Sequence, residues 1–135
     1  MKTITINTAD LSGAALDWAV AKVEGVSTVM FRPEKTEPRK PFALFGSLAL
    51  SIGGDNPEYS YSPSSCWHCG GPLIDKFRVR VVYSDDDITP YAVTRECHPA
   101  LQAGDTVLQA AMRAIVASEL GDTVDVPAEL VEPNK

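Results

Sequence analysis

The sequence lacks the features that mark membrane-spanning and secreted proteins. None of its apolar runs approaches the roughly 18 to 20 residues that a membrane helix needs. The polar opening MKTITINTAD also has no apolar signal-peptide core. We therefore expect a cytoplasmic protein that makes no contact with a membrane.

Basic residues are scarce. Lys and Arg number 12 against 18 Asp and Glu, which gives a net charge of -6 and a pI near 4.8. A surface of this sign repels the phosphate backbone of DNA and RNA. The charge therefore predicts no broad nucleic-acid binding.

Recognisable catalytic motifs are missing as well. The sequence has no P-loop, no nucleophile elbow and no H-E-x-x-H pair. Asp85, Asp86 and Asp87 resemble a cluster for a divalent cation, but three acids between two predicted strands are typical of a solvated turn. The sequence thus favours a non-enzymatic protein.

The composition is that of an ordinary globular domain. Hydrophobic residues make up 44% and charged residues 22%, and the 9 Gly and 10 Pro are not concentrated in repeats. A chain of 135 residues can bury one core. We expect a single domain over residues 1–135, with a surface loop at 33–41 and a frayed tail at 131–135.

Two segments have the periodicity of amphipathic helices. Leu11–Glu24 is apolar at helical spacing, with Asp17 among the residues assigned to its polar side, and Thr106–Leu120 carries a broader apolar stripe that includes Met112 and Ile115. The expected N-terminal cap is Asp10 or Ser12 for the first helix and Asp105 or Thr106 for the second. Gly25 and Gly121 are expected to end the two helices.

Strands are predicted between the two helices. The segments are 26–32, 42–52 with a division at Gly46 and Ser47, 77–83, and 91–95, and the last two pair through a turn at 84–90. The predicted fold class is α+β, with a small antiparallel sheet and two helices packed on one face. The tail after Gly121 is expected to add one short turn before it frays.

The segment Gly53–Gly71 combines aromatic, hydroxyl and glycine residues and is predicted to be an ordered, irregular loop. Aromatic rings can stack on a planar ligand, hydroxyls can bond its polar groups, and glycines allow close backbone approach. Arginines on the next strand could meet a phosphate. The candidate ligand-binding residues are Tyr59, Tyr61, Ser64, Ser65, Trp67, Gly70, Gly71, Arg78 and Arg80. The alternative is that the aromatic residues plug the edge of the core.

The cysteines suggest a second kind of site. Cys66 and Cys69 form a C-x-x-C pair, and Cys97, beside His98, follows with 27 residues in between. With His68 or His98, the three thiols would complete a tetrahedral zinc site. The alternative is that they are buried small side chains, and we expect no stoichiometric zinc. A redox pair is disfavoured because it requires a helix N-terminus, whereas Gly70, Gly71 and Pro72 follow here.

Three blocks of the sequence resemble the NinX-like family of small proteins of lambdoid and related bacteriophages and prophages. They are LSGAALDWAVAKVEG, YSPSSCWHCGGPLID and GDTVLQAAMRAIVASELGDTVDVPAEL. The two cysteines and His68 in the middle block occupy positions that vary in the family. The resemblance implies phage or prophage origin, the cytoplasm of a host cell, and a host-interaction or counter-defence role.

The hypothesis that follows is a phage accessory protein that binds a small, nucleotide-like ligand or a host protein through the segment from Tyr59 to Gly71. A structural zinc-binding interaction module is the first alternative. A small nucleotide hydrolase is the second.

Overall fold

The computed structural model describes residues 2–32, 35, 39–53, 60–94 and 101–131. Three helices and runs of mostly antiparallel strands occupy these ranges, so the predicted α+β class is confirmed. The helices are α1 (Gly13–Val23), α2 (Trp67–Lys76) and α3 (Val107–Leu120). The strands are β1 (Thr3–Asn7), β2 (Ser27–Phe31), β3 (Lys40–Phe45), β4 (Leu48–Ile52), β5 (Ser60–Tyr61), β6 (Arg80–Tyr83), β7 (Pro90–Val93), β8 (Gln102–Ala103) and β9 (Thr123–Pro127).

The described strands form three small sheets where the sequence predicted one. β1 pairs with β9, β2 to β5 form a four-stranded sheet in chain order, and β6 to β8 form a three-stranded sheet. All neighbours are antiparallel except β4 and β5, which run parallel. Dividing the strands in this way gives each long helix a sheet of its own to cover.

The core lies around α1 and α3, which pack against each other. α1 also covers β2, β3 and β4, whereas α3 covers β6, β7 and β8, and both helices contact β9. Small side chains on these two helices, such as Ala15, Ala19 and Ala111, are fully or almost fully buried. Two helices can approach closely where their facing residues are small, so both apolar stripes are buried at once.

The ends of the long helices follow from local sequence. The Thr106 hydroxyl accepts a hydrogen bond from the Gln109 N–H at 3.1 Å, which satisfies one free donor at the start of α3. Gly25 and Gly121 follow the helices with φ of 73° and 96°, a backbone region that favours glycine. Ser12 occupies the cap position of α1, but its side chain makes no capping hydrogen bond.

The strand predictions are confirmed in their main points. The apolar segment 42–52 divides at a turn into β3 and β4, where Gly46 has φ of 63°. β6 and β7 form the expected hairpin, with Val81 opposite Ala92. β3 begins at Lys40, so it includes the last two residues of the surface loop predicted at 33–41.

The pairing of the two chain ends was not predicted. Thr3 lies opposite Pro127 in the β1–β9 ladder. The Thr8 N–H extends this contact by donating to the Asp122 carbonyl at 2.7 Å. The expected short turn is present as the 3-10 turn Ala128–Leu130, but a strand precedes it. Residues 132–135 of the predicted frayed tail lie outside the described residues.

The prediction of an irregular loop over Gly53–Gly71 is wrong at Ser60–Tyr61 and from Trp67 onward, whereas residues 62–66 do form a turn. Ser60–Tyr61 is a strand, and α2 begins at Trp67 and continues through Gly70, Gly71 and Pro72. Glycine and proline disfavour a helix interior, so propensity alone argued against α2. Packing outweighs this preference, since Leu73 is buried in the core and Gly70 lies against α3.

No helix in the described ranges is long and apolar enough to cross a membrane.

Met112→Ala and Ile115→Ala should each lower the free energy of unfolding by about 2 to 5 kcal/mol, because both side chains are fully buried and each truncation leaves a cavity. Ile88→Ala is the control, since Ile88 is exposed. Denaturant unfolding of the three variants measures the difference. Equal effects at all three positions would show that the α3 stripe is not the core.

Candidate functional site

The segment between β5 and α2 is a tight turn built on backbone hydrogen bonds. The N–H groups of Ser65 and Cys66 both donate to the Ser62 carbonyl, at 3.1 and 2.8 Å. Cys66 then takes the cap position of α2, where its side chain makes no capping hydrogen bond. The first turn of α2 therefore has no side-chain cap, unlike that of α3.

Asp17 on α1 holds this turn in place. The sequence assigned Asp17 to the polar side of its helix, but the side chain is almost fully buried. Its Oδ1 accepts a hydrogen bond from the Ser64 N–H at 2.8 Å. A buried carboxylate needs such a partner, and here the partner lies 47 residues away in the chain.

Burial perturbs the acids around this turn. Desolvation raises the pKa of Asp17 from its ordinary 3.8 to about 6, although the hydrogen bonds from Ser64 oppose the shift. Burial also raises the pKa of the Tyr61 phenol above its usual range, and Glu24, Asp17 and Cys69 add to the effect. The pKa of the Cys69 thiol is raised by burial, with smaller contributions from Cys66 and Asp17.

Gly70 allows α2 to pack closely onto this turn. A Cβ atom at Gly70 would lie 2.2 Å from the Pro63 carbonyl oxygen and 2.9 Å from a Leu108 methyl carbon. Real Cβ atoms do not approach backbone oxygens so closely, so only glycine fits here. Gly71 differs, because its nearest neighbour would be a Trp67 ring carbon at 3.7 Å, an ordinary contact.

An open groove of about 400 Å³ lies between the first turns of α2 and α3. Its walls are formed by the turn before α2, the end of β6 and the start of α3. The lining residues are Ser64, Ser65, Trp67, Tyr83, Thr106, Val107 and Leu108. Two of them are large exposed aromatic side chains, since Trp67 is 59% and Tyr83 is 53% exposed.

The groove combines two recognition elements. The first N–H groups of a helix have no intrahelical acceptor and, together with the helix dipole, favour negative charge. Both α2 and α3 begin at this groove. The exposed rings of Trp67 and Tyr83 offer flat surfaces for a planar group. The arrangement can bind a ligand that carries both a ring and an anionic group.

The structure brings only part of the predicted ligand set to this groove. Ser64, Ser65 and Trp67 line it. Gly71 lies beside the Trp67 ring. Tyr61 is buried, with its ring centroid 6.0 Å from that of Phe45.

The remaining members of the set lie elsewhere. Gly70 is explained by its packing on Pro63. Arg78 precedes β6 and Arg80 is its first residue. Both are exposed, and neither lines the groove. Tyr59 lies outside the described residues.

Sequence reasoning missed the other half of the groove. Tyr83 was predicted to lie in a strand and Thr106 to cap a helix, and the structure confirms both. The strand pattern could not show that the exposed Tyr83 lies beside the start of α3.

The proposed zinc ligands are only partly described. Cys66 and Cys69 are free thiols, each half-buried. Among the described residues, no group of three His, Cys, Asp or Glu side chains is placed to hold a metal ion. Cys97 and His98 lie outside those residues, so the four-ligand set stays a prediction.

A model of the family described as "Bacteriophage P22, NinX" matches residues 7–119. The chain belongs to this family. The resemblance of the three sequence blocks to NinX-like proteins is thereby confirmed. As a member of the NinX family, the chain is a phage accessory protein, and all seven lining residues of the groove fall within the matched range. A search of curated proteins gave no match.

Gly70→Ala should destabilise the NinX-family protein, because the added methyl group would clash with the Pro63 carbonyl. Gly71→Ala is the matched control in the same helix, and there alanine should be neutral or stabilise by up to about 1 kcal/mol through helix propensity. Melting curves of both variants test the difference. A Gly70→Ala protein as stable as Gly71→Ala would show that α2 does not pack this closely.

Asp17 should make stability depend on pH. Its pKa is higher in the folded chain than in the unfolded one, so its contribution to stability is fully present below pH 3.8 and lost as the pH rises to about 6. The loss amounts to about 3 kcal/mol. Asp17→Asn keeps an acceptor for Ser64 but cannot ionise.

Denaturant unfolding of both proteins at pH 4 and pH 7 measures this effect. The wild type should lose stability relative to Asp17→Asn over that interval. Parallel pH profiles of the two proteins would contradict a buried, titrating Asp17.

Proposed function

We propose that this phage accessory protein is a non-enzymatic binding protein whose groove takes a small, nucleotide-like ligand with a planar ring and an anionic group. The observation that supports this most directly is the presence of Trp67 and Tyr83, both exposed, beside the first turns of two helices. Folding alone does not require large aromatic side chains at such positions.

The aromatic residues are suited to hold a ring. Trp67 lies in the first turn of α2, and Tyr83 is the last residue of β6, so both are carried by regular elements. Rings on rigid supports lose little conformational entropy when a ligand stacks on them. A volume of about 400 Å³ is within the usual size range of small-molecule sites.

The polar groups of the groove favour an anion despite the acidic composition of the chain. None of the seven lining residues is Asp or Glu, so within the described part of the chain no carboxylate forms part of the groove wall. The Ser65 and Thr106 hydroxyls can donate hydrogen bonds, and the Thr106 oxygen is already held in place as the cap of α3. Backbone N–H groups at both helix starts add further donors.

This chemistry suits the role suggested by phage origin. A protein without catalytic machinery that binds a nucleotide can act by sequestering it. Removal of a host nucleotide signal would be a form of counter-defence. A host protein is the alternative ligand.

Trp67→Ala should abolish ligand binding and cost less stability than Met112→Ala, because the Trp67 side chain is mostly exposed and Met112 is fully buried. Phe31→Ala is the matched control, since Phe31 is 54% exposed but lies on β2, in a different sheet. Binding is measured by calorimetric titration with a panel of nucleotides and cyclic nucleotides, and stability by melting curves.

A first screen of the wild type identifies the nucleotide to titrate. At 100 times its dissociation constant, a ligand should add about 2.7 kcal/mol of stability, which is seen as a raised melting temperature. Unchanged melting with the whole panel would overturn the nucleotide-like ligand. Equal binding by the Trp67→Ala and Phe31→Ala proteins would place the site elsewhere.

A further inference from the structure

The C-x-x-C pair lies at a helix start, contrary to the expectation from sequence. Cys66 is the cap residue of α2, and Cys69 lies in its first turn. The sequence disfavoured a redox pair because glycines and a proline follow it, but these residues are part of the helix. The objection therefore no longer holds.

The backbone brings the two cysteines within disulfide range. The Cys69 N–H donates to the Cys66 carbonyl at 3.1 Å, which closes a tight turn between them. In such a turn the first and last Cα atoms are less than about 7 Å apart. Disulfides span Cα distances of about 4.4 to 6.8 Å, so the spacing of the pair is compatible with a disulfide.

The two thiols have different surroundings. Both residues are half-buried, but Cys66 lies between the exposed residues Ser65 and Trp67. Cys69 precedes the fully enclosed Gly70, and its thiol donates inward to the Ser60 carbonyl at 3.7 Å. The Tyr61 hydroxyl is buried and has no hydrogen-bond partner among the described residues. A dithiol site needs one thiol that attacks the substrate and a second thiol that then displaces the substrate from the mixed disulfide. The different surroundings of Cys66 and Cys69 suit these two roles.

We propose that Cys66 and Cys69 form a redox-active dithiol that exchanges with disulfide-containing molecules. The dithiol shares the start of α2 with the groove, but it does not depend on the nucleotide-like ligand. Cys66 attacks one sulfur of the substrate disulfide as a thiolate, forming a mixed disulfide and releasing one substrate thiol. Cys69 then loses its proton to solvent and attacks the Cys66 sulfur, which closes the protein disulfide and releases the second thiol. The protein loses two electrons and two protons, and the substrate disulfide gains them.

Helix placement favours the first step. A thiolate, and not a thiol, is the attacking species, and negative charge is stabilised at a helix start. No side chain caps the start of α2, although the Cys69 N–H is already bonded to the Cys66 carbonyl.

The test uses the full chain carrying Cys97→Ser, so that only the pair can react, with oxidised glutathione as the substrate disulfide. After acid quenching and alkylation, peptide mass spectrometry should show the loss of both alkylatable thiols and a bond between Cys66 and Cys69. Reduced glutathione should restore both thiols. The Cys66→Ser, Cys69→Ser double variant, also with Cys97→Ser, is the unreactive control.

Single variants separate the two roles. With Cys69→Ser, the mixed disulfide with glutathione should persist on Cys66. With Cys66→Ser, glutathione should be incorporated far more slowly at Cys69. Serine is a favoured cap residue, so Cys66→Ser should not unfold α2, and melting curves verify this.

Three results would overturn the dithiol. The first is that both thiols stay alkylatable in oxidised glutathione. The second is that glutathione accumulates on the pair without ring closure. The third is that purified wild-type protein holds one zinc per chain that protects Cys66 and Cys69 from alkylation.

Discussion

The burial of α3 is the constraint on which the rest of the structure depends. Eight of its fourteen residues are buried, and they lie all around the helix, so no single sheet or helix could cover it. α1 covers one side, the β6 to β8 sheet covers another, and β9 and α2 complete the enclosure. The Arg113 guanidinium joins two of these neighbours by donating to the carbonyls of Leu11 and Ala103, at 2.8 and 2.7 Å.

The position of α2 is a consequence of this enclosure. Its sequence is a poor helix former, and isolated helices of ten residues are unstable in water. It forms because Leu73 enters the core and Gly70 fits between Pro63 and Leu108 of α3. The Asp17 carboxylate fixes the preceding turn from the opposite side. α2 thus receives its position from contacts far along the chain.

The start of α2 carries both proposed activities. Trp67 lines the groove shared with α3, and Cys66, a half-buried free cysteine, precedes it in the chain. The same helix start favours a ligand anion in one case and a thiolate in the other. A negative group can be stabilised here although the chain has a net charge of -6, because the field of a helix start is local and falls off within about one turn.

The sequence by itself determined the α+β class, the two long helices with their glycine stops, the β6–β7 hairpin and the NinX resemblance. These features rest on periodicity, capping and short-range turns, which neighbouring residues specify. Tertiary structure alone decided the β1–β9 pairing, the helical state of Trp67–Lys76, the burial of Asp17 and the meeting of Tyr83 with Trp67. Each of these depends on residues distant in the chain, and the free energy that stabilises them comes from packing and desolvation, which no local pattern encodes.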